Sequence, residues 1–210
     1  MRPDLSIIAD LINPGARVLD LGCGQGDLLA HLQQHKQVNG YGLEIDSQNV
    51  TTCISKGVNV IEQDLDQGLS NFTDDSFDMV VMTETLQSVK APEQMLDEML
   101  RIGGECIVTF PNFGHWRCRA YLALNGRMPI ADHLPHTWYD TPNIHLCTFN
   151  DFEQMCQRKR LRIIQRFVVD DQHLNRPLMN LFPNLFGTIA FYRLGRPEGA
   201  PPHSPPAPPR

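Results

Sequence analysis

The sequence predicts an α/β fold in which a parallel sheet is covered by helices. Short apolar segments alternate with amphipathic helical segments through the first half of the 210-residue chain. One of the apolar segments, residues 77–82, has the apolar density of a strand that is covered on both faces. A glycine-rich turn follows the first apolar segment. Strands and helices that alternate at this spacing are typical of βαβ units and therefore of a parallel sheet.

Five strands and four helices are predicted in the first half. A leading helix over residues 5–11 ends at Asn13-Pro14-Gly15, where turn residues follow one another. The helices between the strands show apolar residues at i, i+3/i+4 spacing or begin at capping residues, as Ser47 would for the third helix. The predicted strands are residues 17–21, 39–44, 58–62, 77–82 and 105–110, and the predicted helices after the first are 27–34, 47–54 and 92–101.

The second half is less regular. Residues 111–148 are rich in proline, histidine, asparagine and aromatic residues, which predicts an insertion or lid with one helix at 116–124. A helix capped by Thr148 or Asn150 runs to residue 156, and two closing strands are expected at 161–169 and 188–194. The segment between them, 170–186, is predicted to be a polar loop with an apolar tip. We therefore expect one domain over residues 1–195 and a disordered, proline-rich tail over residues 196–210.

Composition excludes several classes of function. The net charge is −6 and no run of Lys or Arg occurs, which disfavours nucleic acid as a partner. The six cysteines form no C-x-x-C pair, and the His and Cys spacing matches no metal site. Residues 1–12 lack the features of a signal peptide, and no segment approaches the roughly 20 apolar residues that a membrane span needs. We expect a soluble cytoplasmic protein with reduced thiols and no metal.

The glycine-rich turn indicates a ligand site. It reads Asp20-Leu21-Gly22-Cys23-Gly24-Gln25-Gly26, a D-x-G-x-G-x-G pattern that differs from the dinucleotide fingerprint G-x-G-x-x-G. Glycines let a ligand approach bare backbone, and the N–H groups at the start of the next helix face the same place. A plain tight turn between strand and helix is the alternative.

Three further positions follow predicted strands. Glu44 ends the second strand, about 20 residues after the glycines, where a carboxylate can accept from two ribose hydroxyls; Asp46 is a weaker candidate for that role. Asp64 follows the third strand and could accept from an adenine amino group, although it could equally be a capping or loop carboxylate. Asp66 fits a capping role better. Thr83 follows the fourth strand, at the edge where open α/β sheets bind ligands.

Together these elements resemble the class I S-adenosylmethionine (SAM)-dependent methyltransferases over residues 17–110. The resemblance implies a three-layer, Rossmann-like fold with a seven-stranded, mostly parallel sheet in the order 3-2-1-4-5-7-6 and an antiparallel strand 7. It also implies that Asp20 and the turn residues line the methionine part of SAM, that Glu44 holds the ribose, and that Thr83 lies near the sulfonium. The remaining implied positions are Gly22, Cys23, Gly24 and Gly26 in the turn and Asp64 and Leu65 at the adenine.

Two departures from that family affect the expected chemistry. Many members that act on small molecules have a His after the fourth strand where this chain has Gln87. The N/D-P-P-Y/F/W stretch of amino methyltransferases is absent, which disfavours methylation of nucleic acids. No catalytic residue is assigned. His115 or His145 could act as a general base, but loop histidines with ordinary partners are the alternative.

The second half of the sequence resembles the methionine-biosynthesis protein W (MetW) family. The segments that carry this resemblance are residues 110–116, 126–129 and 134–148. It implies a role in methionine synthesis as a partner of a homoserine O-acyltransferase, either an O-succinyl- or an O-acetyltransferase, with SAM or S-adenosylhomocysteine as the bound molecule. The alternative is an active methyltransferase for a small acceptor. Phe113, Trp116, Trp138 and Tyr139 could form a lid or an interface, and the oligomeric state stays open.

Overall fold

The computed structural model describes residues 3–169, 179 and 181–197, and within them a seven-stranded sheet has the order β3-β2-β1-β4-β5-β7-β6. Strands β1 to β5 run parallel, whereas β7 is antiparallel to both β5 and β6. The implied strand order and the antiparallel seventh strand are confirmed. The strands are β1 Arg17–Leu21, β2 Asn39–Glu44, β3 Asn59–Glu62, β4 Met79–Thr83, β5 Glu105–Pro111, β6 Arg162–Val169 and β7 Ile189–Gly195.

Helices cover both faces of the sheet and make a three-layer fold. On one face, α4 and α6 pack through Leu96, Met99 and Phe152. On the other face, α1, α2 and α3 contribute Ile8, Leu29 and other buried residues. The helices are α1 Pro3–Leu11, α2 Asp27–Lys36, α3 Ser47–Ser55, α4 Pro92–Gly103, α5 Trp116–Asn125, α6 Phe149–Lys159 and α7 Pro183–Phe186, with 3₁₀ turns at Leu65–Gln67 and Leu86–Ser88.

Side-chain caps decide where two helices begin. Asp46, not Ser47 as predicted, caps α3, since its Oδ1 accepts from the backbone N–H of Gln48 at 2.8 Å. Ser47 is the first helical residue and its hydroxyl donates to Glu62 instead. Of the two candidates for α6, Thr148 is the cap.

Strand β4 begins two residues later than predicted. The side chain of Asp78 turns toward β1, where Oδ1 accepts from Arg17 Nη2 at 2.7 Å and Oδ2 accepts from the backbone N–H of Arg17 at 2.8 Å. The backbone N–H of Asp78 also donates to the carbonyl of Arg17, at 2.9 Å, whereas that of Phe77 donates to the carbonyl of Ile102 outside the sheet. The regular strand starts at Met79.

Residues 112–148, which we call the inserted segment, connect β5 to α6 and contain α5. The two ends of the segment lie side by side, because Phe113 donates its N–H to the carbonyl of Cys147 at 2.9 Å. Helix α5 ends one residue later than predicted. Most of the predicted loop 170–186 and residues 198–210 of the predicted tail lie outside the described residues. In the part of the chain that the structure describes, no helix has the length and apolar character needed to cross a membrane.

Candidate ligand site at the glycine turn

A cavity of about 350 Å³ lies at the carboxyl ends of β1 and β4. This edge of a parallel sheet is where open α/β proteins bind ligands. The cavity is formed by the glycine turn, the start of α2, the exit of β4 and one residue of α1. Its lining residues are Leu5, Asp20, Gly22, Cys23, Gly24, Gln25, Asp27, Leu28, Thr83 and Glu84.

The glycine turn needs glycine at two positions for different reasons. Gly22 has φ +74°, and a Cβ there would lie 2.7 Å from Thr85 Oγ1. Gly24 has φ +54° but open space around it, so only its backbone conformation favours glycine. The backbone N–H groups of Gly22 and Cys23 both donate to the carbonyl of Leu43, at 2.9 and 3.0 Å. The turn is thus held against the end of β2 by its own backbone.

The start of α2 faces this turn with little side-chain capping. Gly26 is the N-cap, in the left-handed conformation, and it supplies no side-chain hydrogen bond. The first N–H groups of a helix then remain available, and the positive end of the helix dipole favours an anionic group near them. This end of α2 can therefore bind a carboxylate or a similar acceptor.

Asp20 is the most unusual group in the cavity. Its side chain is 2% exposed, and Oδ1 has no hydrogen-bond partner among the described residues. Burial, and to a lesser extent the nearby charge of Glu44, raise the pKa of Asp20 to about 7. A buried acceptor without a partner costs about 1–3 kcal/mol. A cationic ligand group that donates to Asp20 would offset that cost.

Glu44 organises the turn from the end of β2. Its carboxylate is 8% exposed; Oε2 accepts from the N–H of Gly24 at 2.8 Å, and Oε1 accepts from those of Ile45 and Asp46 at 2.9 Å each. About four acceptor positions exist on a carboxylate, so most are taken by backbone. Glu44 does not line the 350 Å³ cavity, and its implied contact with ribose stays a prediction.

Asp64 and Leu65, implied at the adenine, lie apart from this lining. Asp64 caps the 3₁₀ turn, with Oδ1 accepting from the N–H of Asp66 at 2.9 Å. The expectation that Asp66 is the better cap was wrong, because the Asp66 carboxylate instead accepts from the N–H of Lys90. Leu65 is buried in the core beneath α4. Their role at an adenine is a prediction that no contact within the described residues tests.

The exit of β4 supplies a lining residue that was not among the predicted site residues. Thr83 lines the cavity as expected, and Glu84 lines it next to Thr83. Glu84 has φ +50°, unusual for a residue with a Cβ, and its N–H donates to both Oγ1 and the carbonyl of Thr109 at 3.0 Å. No residue pattern near Glu84 predicts this backbone conformation, and none near Leu5 predicts that Leu5 lines the cavity. Gln25, Asp27 and Leu28 could have been inferred from their place beside the glycines.

The two histidines considered as bases lie outside the cavity lining. His115 is buried and caps α5, since its Nδ1 accepts from the N–H of Arg117 at 3.4 Å. His145 is exposed, and its backbone N–H donates to the carbonyl of Gln87. Cys23 is buried, with its Sγ 3.9 Å from that of Cys53. Among the residues described, no three His, Cys, Asp or Glu side chains form a group that could hold a metal ion.

The sheet order, the antiparallel β7 and the cavity at the glycine turn define a protein with the fold of the class I SAM-dependent methyltransferases. A SAM-dependent methyltransferase from Mesorhizobium loti superposes with a TM-score of 0.66 at 18% identity, over 92% of this chain and 98% of the other. The [4+2]-cyclase SpnF superposes with a TM-score of 0.65 at 15% identity, over 93% and 81%. These likenesses show the fold alone.

The chain belongs to the family described as methionine biosynthesis protein MetW, whose family model matches residues 2–194. A relative from Rhodopirellula baltica, the bifunctional methionine biosynthesis protein MetXA/MetW, is 34% identical over 205 residues. The match covers 92% of this chain and 33% of the relative. The chain therefore spans about one third of the length of that bifunctional protein.

Proposed function

We propose that this protein binds SAM or S-adenosylhomocysteine at the glycine turn and acts in methionine biosynthesis as an accessory subunit that a homoserine O-acyltransferase requires. The observation that carries the ligand part is Asp20, a buried carboxylate with an unpartnered oxygen in the wall of the cavity. The family and the bifunctional relative support the pathway.

The cavity has groups that complement the amino-acid end of SAM. The Asp20 carboxylate complements an ammonium group, and the N–H groups at the start of α2 complement a carboxylate. The volume of about 350 Å³ falls in the usual range for small-molecule sites. When bound, SAM would supply an electrophilic methyl group. Glu44 would then approach the ribose, and Asp64 and Leu65 the adenine.

Two observations support a protein partner. In the relative from Rhodopirellula baltica, a region like this chain is one third of a longer polypeptide whose name joins MetXA to MetW. In this chain, ten of the 17 exposed large apolar side chains among the described residues lie in the inserted segment. Clustered exposed apolar and aromatic groups are typical of protein interfaces. We place the assembly in the cytoplasm.

Isothermal titration calorimetry with SAM and with S-adenosylhomocysteine tests the ligand. We expect Asp20→Asn to weaken SAM binding by about tenfold or more, the loss expected for one charge-assisted hydrogen bond. Asp27→Asn is the matched control, because Asp27 also lines the cavity but its carboxylate is paired with Lys56. No heat of binding at millimolar SAM would refute the ligand proposal.

Copurification and acyltransferase assays test the partner. The full chain, purified from its native host, should recover a homoserine O-acyltransferase in stoichiometric amount, and that enzyme should lose activity when the chain is removed. An acyltransferase that keeps full activity alone would refute the accessory role. Methyl-labelled SAM incubated with small-molecule extract tests the alternative, since transfer of label to a product would identify an active methyltransferase.

A further inference from the structure

Gln87 lies between the glycine-turn cavity and the inserted segment. Its side chain is 5% exposed, and Nε2 donates to the carbonyl of Glu84 at 2.6 Å and to Asn143 Oδ1 at 3.1 Å. The backbone carbonyl of Gln87 accepts from the N–H groups of Ile144 and His145, both at 3.0 Å. One buried residue therefore holds two regions that are 56 positions apart in sequence.

Each side of this link is part of a cavity wall. Glu84 lines the cavity at the glycine turn. Asn143 and Ile144 line a second cavity of about 220 Å³, formed within the inserted segment. A shift of the Gln87 side chain would therefore alter the walls of both cavities.

The Glu84 side of the link stores strain. Glu84 has φ +50°, a conformation that costs free energy for any residue with a Cβ, and two bonds from its N–H to Thr109 hold it there. Strained residues at ligand sites are common positions for conformational switching. A ligand that contacts Glu84 would change the balance between this conformation and a relaxed one.

The Gln87 amide itself has a reason to adopt a second arrangement. Its orientation follows from chemistry, because the Glu84 carbonyl can only accept and Nε2 must face it. Oε1 is then buried and has no hydrogen-bond partner within the described part of the chain. A buried acceptor without a donor is unfavourable, so a rearrangement that pairs Oε1 would recover free energy.

We infer that Gln87 couples occupancy of the glycine-turn cavity to the conformation of the inserted segment. SAM at the turn biases Glu84, the side chain of Gln87 transmits the change to Asn143, and the exposed apolar surface of the segment alters for its protein partner. The inference rests on the proposed function, because it takes SAM as the occupant. It adds the route by which occupancy of the ligand site would regulate the accessory subunit.

The chain carries its own reporter for this coupling. Both tryptophans, Trp116 and Trp138, lie in the inserted segment. Trp138 lines the second cavity with Asn143 and Ile144. Tryptophan emission therefore reports on the inserted segment without any label.

The experiment titrates SAM into the full-length protein and follows calorimetry and tryptophan emission in parallel. In the wild type, emission should change with the same saturation curve as the heat. Gln87→Met keeps the length of the side chain and removes its hydrogen bonds. We expect this variant to bind SAM with a Kd within about tenfold of wild type while its emission change falls about fivefold or more.

Two further variants keep the test decisive. Asn143→Ala removes the acceptor that Gln87 and Ser88 share on the inserted-segment side. It should lose the emission change as Gln87→Met does, which covers a failure of Gln87→Met to fold. Asn125→Ala is the matched control, since its side chain bonds only within α5, to the Tyr121 carbonyl, and should keep the full change. SAM binding without an emission change in the wild type, or a full change in Gln87→Met, would overturn this inference alone. Absence of any calorimetric binding would overturn the proposed ligand and the inference with it.

Discussion

The glycine turn and the inserted segment are built on opposite principles. In the turn, backbone bonds from Gly22, Cys23 and Gly24 to Leu43 and Glu44 leave little freedom, and the side chains around them are mostly buried. In the inserted segment, α5 is the one helix, and more than half of the exposed large apolar side chains of the described protein are found there. The turn is therefore shaped for a small ligand, whereas the inserted segment keeps apolar surface exposed after folding.

Substitution of the first turn glycine should have the largest effect. Gly22→Ala combines a left-handed backbone with a collision at Thr85 and should lower the free energy of unfolding by about 3 kcal/mol. Gly24→Ala has the backbone penalty without the collision and should cost about 1 kcal/mol. Urea denaturation of the pair measures both. If both substitutions lowered the free energy of unfolding equally, the contact with Thr85 would not contribute to the requirement for glycine at position 22.

The buried carboxylate in the turn should make stability depend on pH. The pKa of Asp20 is about 7 in the folded protein against an ordinary value of 3.8, so the folded state binds more protons than the unfolded state between those values. Stability should therefore fall as pH rises through this window. Relative to Asp20→Asn, the wild type should lose about 2 kcal/mol between pH 5 and pH 8. The stability of both proteins is measured by thermal and urea unfolding across this pH range. If the wild type and Asp20→Asn showed parallel pH profiles, the raised pKa of Asp20 would be contradicted.

In the inserted segment, the buried histidine should matter as a cap and not as a base. His115→Ala removes the acceptor at the start of α5 and should cost about 1 kcal/mol in unfolding free energy. His115→Asn, which restores a capping oxygen, should recover much of that loss. His145→Ala is the control, since only its backbone bonds to Gln87, and it should change stability by less than about 0.5 kcal/mol. If His115→Asn were as unstable as His115→Ala, packing rather than capping would explain the role of His115.

The smallest effect on stability should come from the exposed aromatics of the segment. Trp138 is 74% exposed, so Trp138→Ala should change the free energy of unfolding by less than about 0.5 kcal/mol. Under the proposed function, the same change should weaken binding to the acyltransferase by about tenfold. Ile54→Ala, on the exposed side of α3, is the control for both measurements. Unchanged partner binding in Trp138→Ala, measured by surface plasmon resonance, would remove Trp138 from the interface.

Prediction from sequence succeeded where the signal is local. Most strand and helix bounds came within about two residues because apolar periodicity and turn residues mark them. The exceptions are α6, which ends three residues later than predicted, and α7, which lies in a segment predicted to be a loop. Asp20, Gly22, Cys23, Gly24 and Thr83 line the cavity, whereas Gly26 caps α2 outside the lining. Glu44 and Asp64 were identified as acidic residues at or after strand ends. The Glu44 carboxylate accepts from the N–H of Gly24, which only the folded register brings close, whereas the Asp64 carboxylate accepts from the N–H of Asp66 in a local cap.

The sequence by itself determined the α/β fold, the glycine turn after β1 and membership of the family, because these depend on backbone preferences and residue patterns within short windows. The tertiary structure decided which groups meet. Leu5 closes the cavity from α1, Glu84 takes a left-handed conformation beneath Thr109, and Gln87 joins that cavity to Asn143. These contacts link positions far apart in the chain, and their free energies depend on packing that no short stretch of sequence encodes.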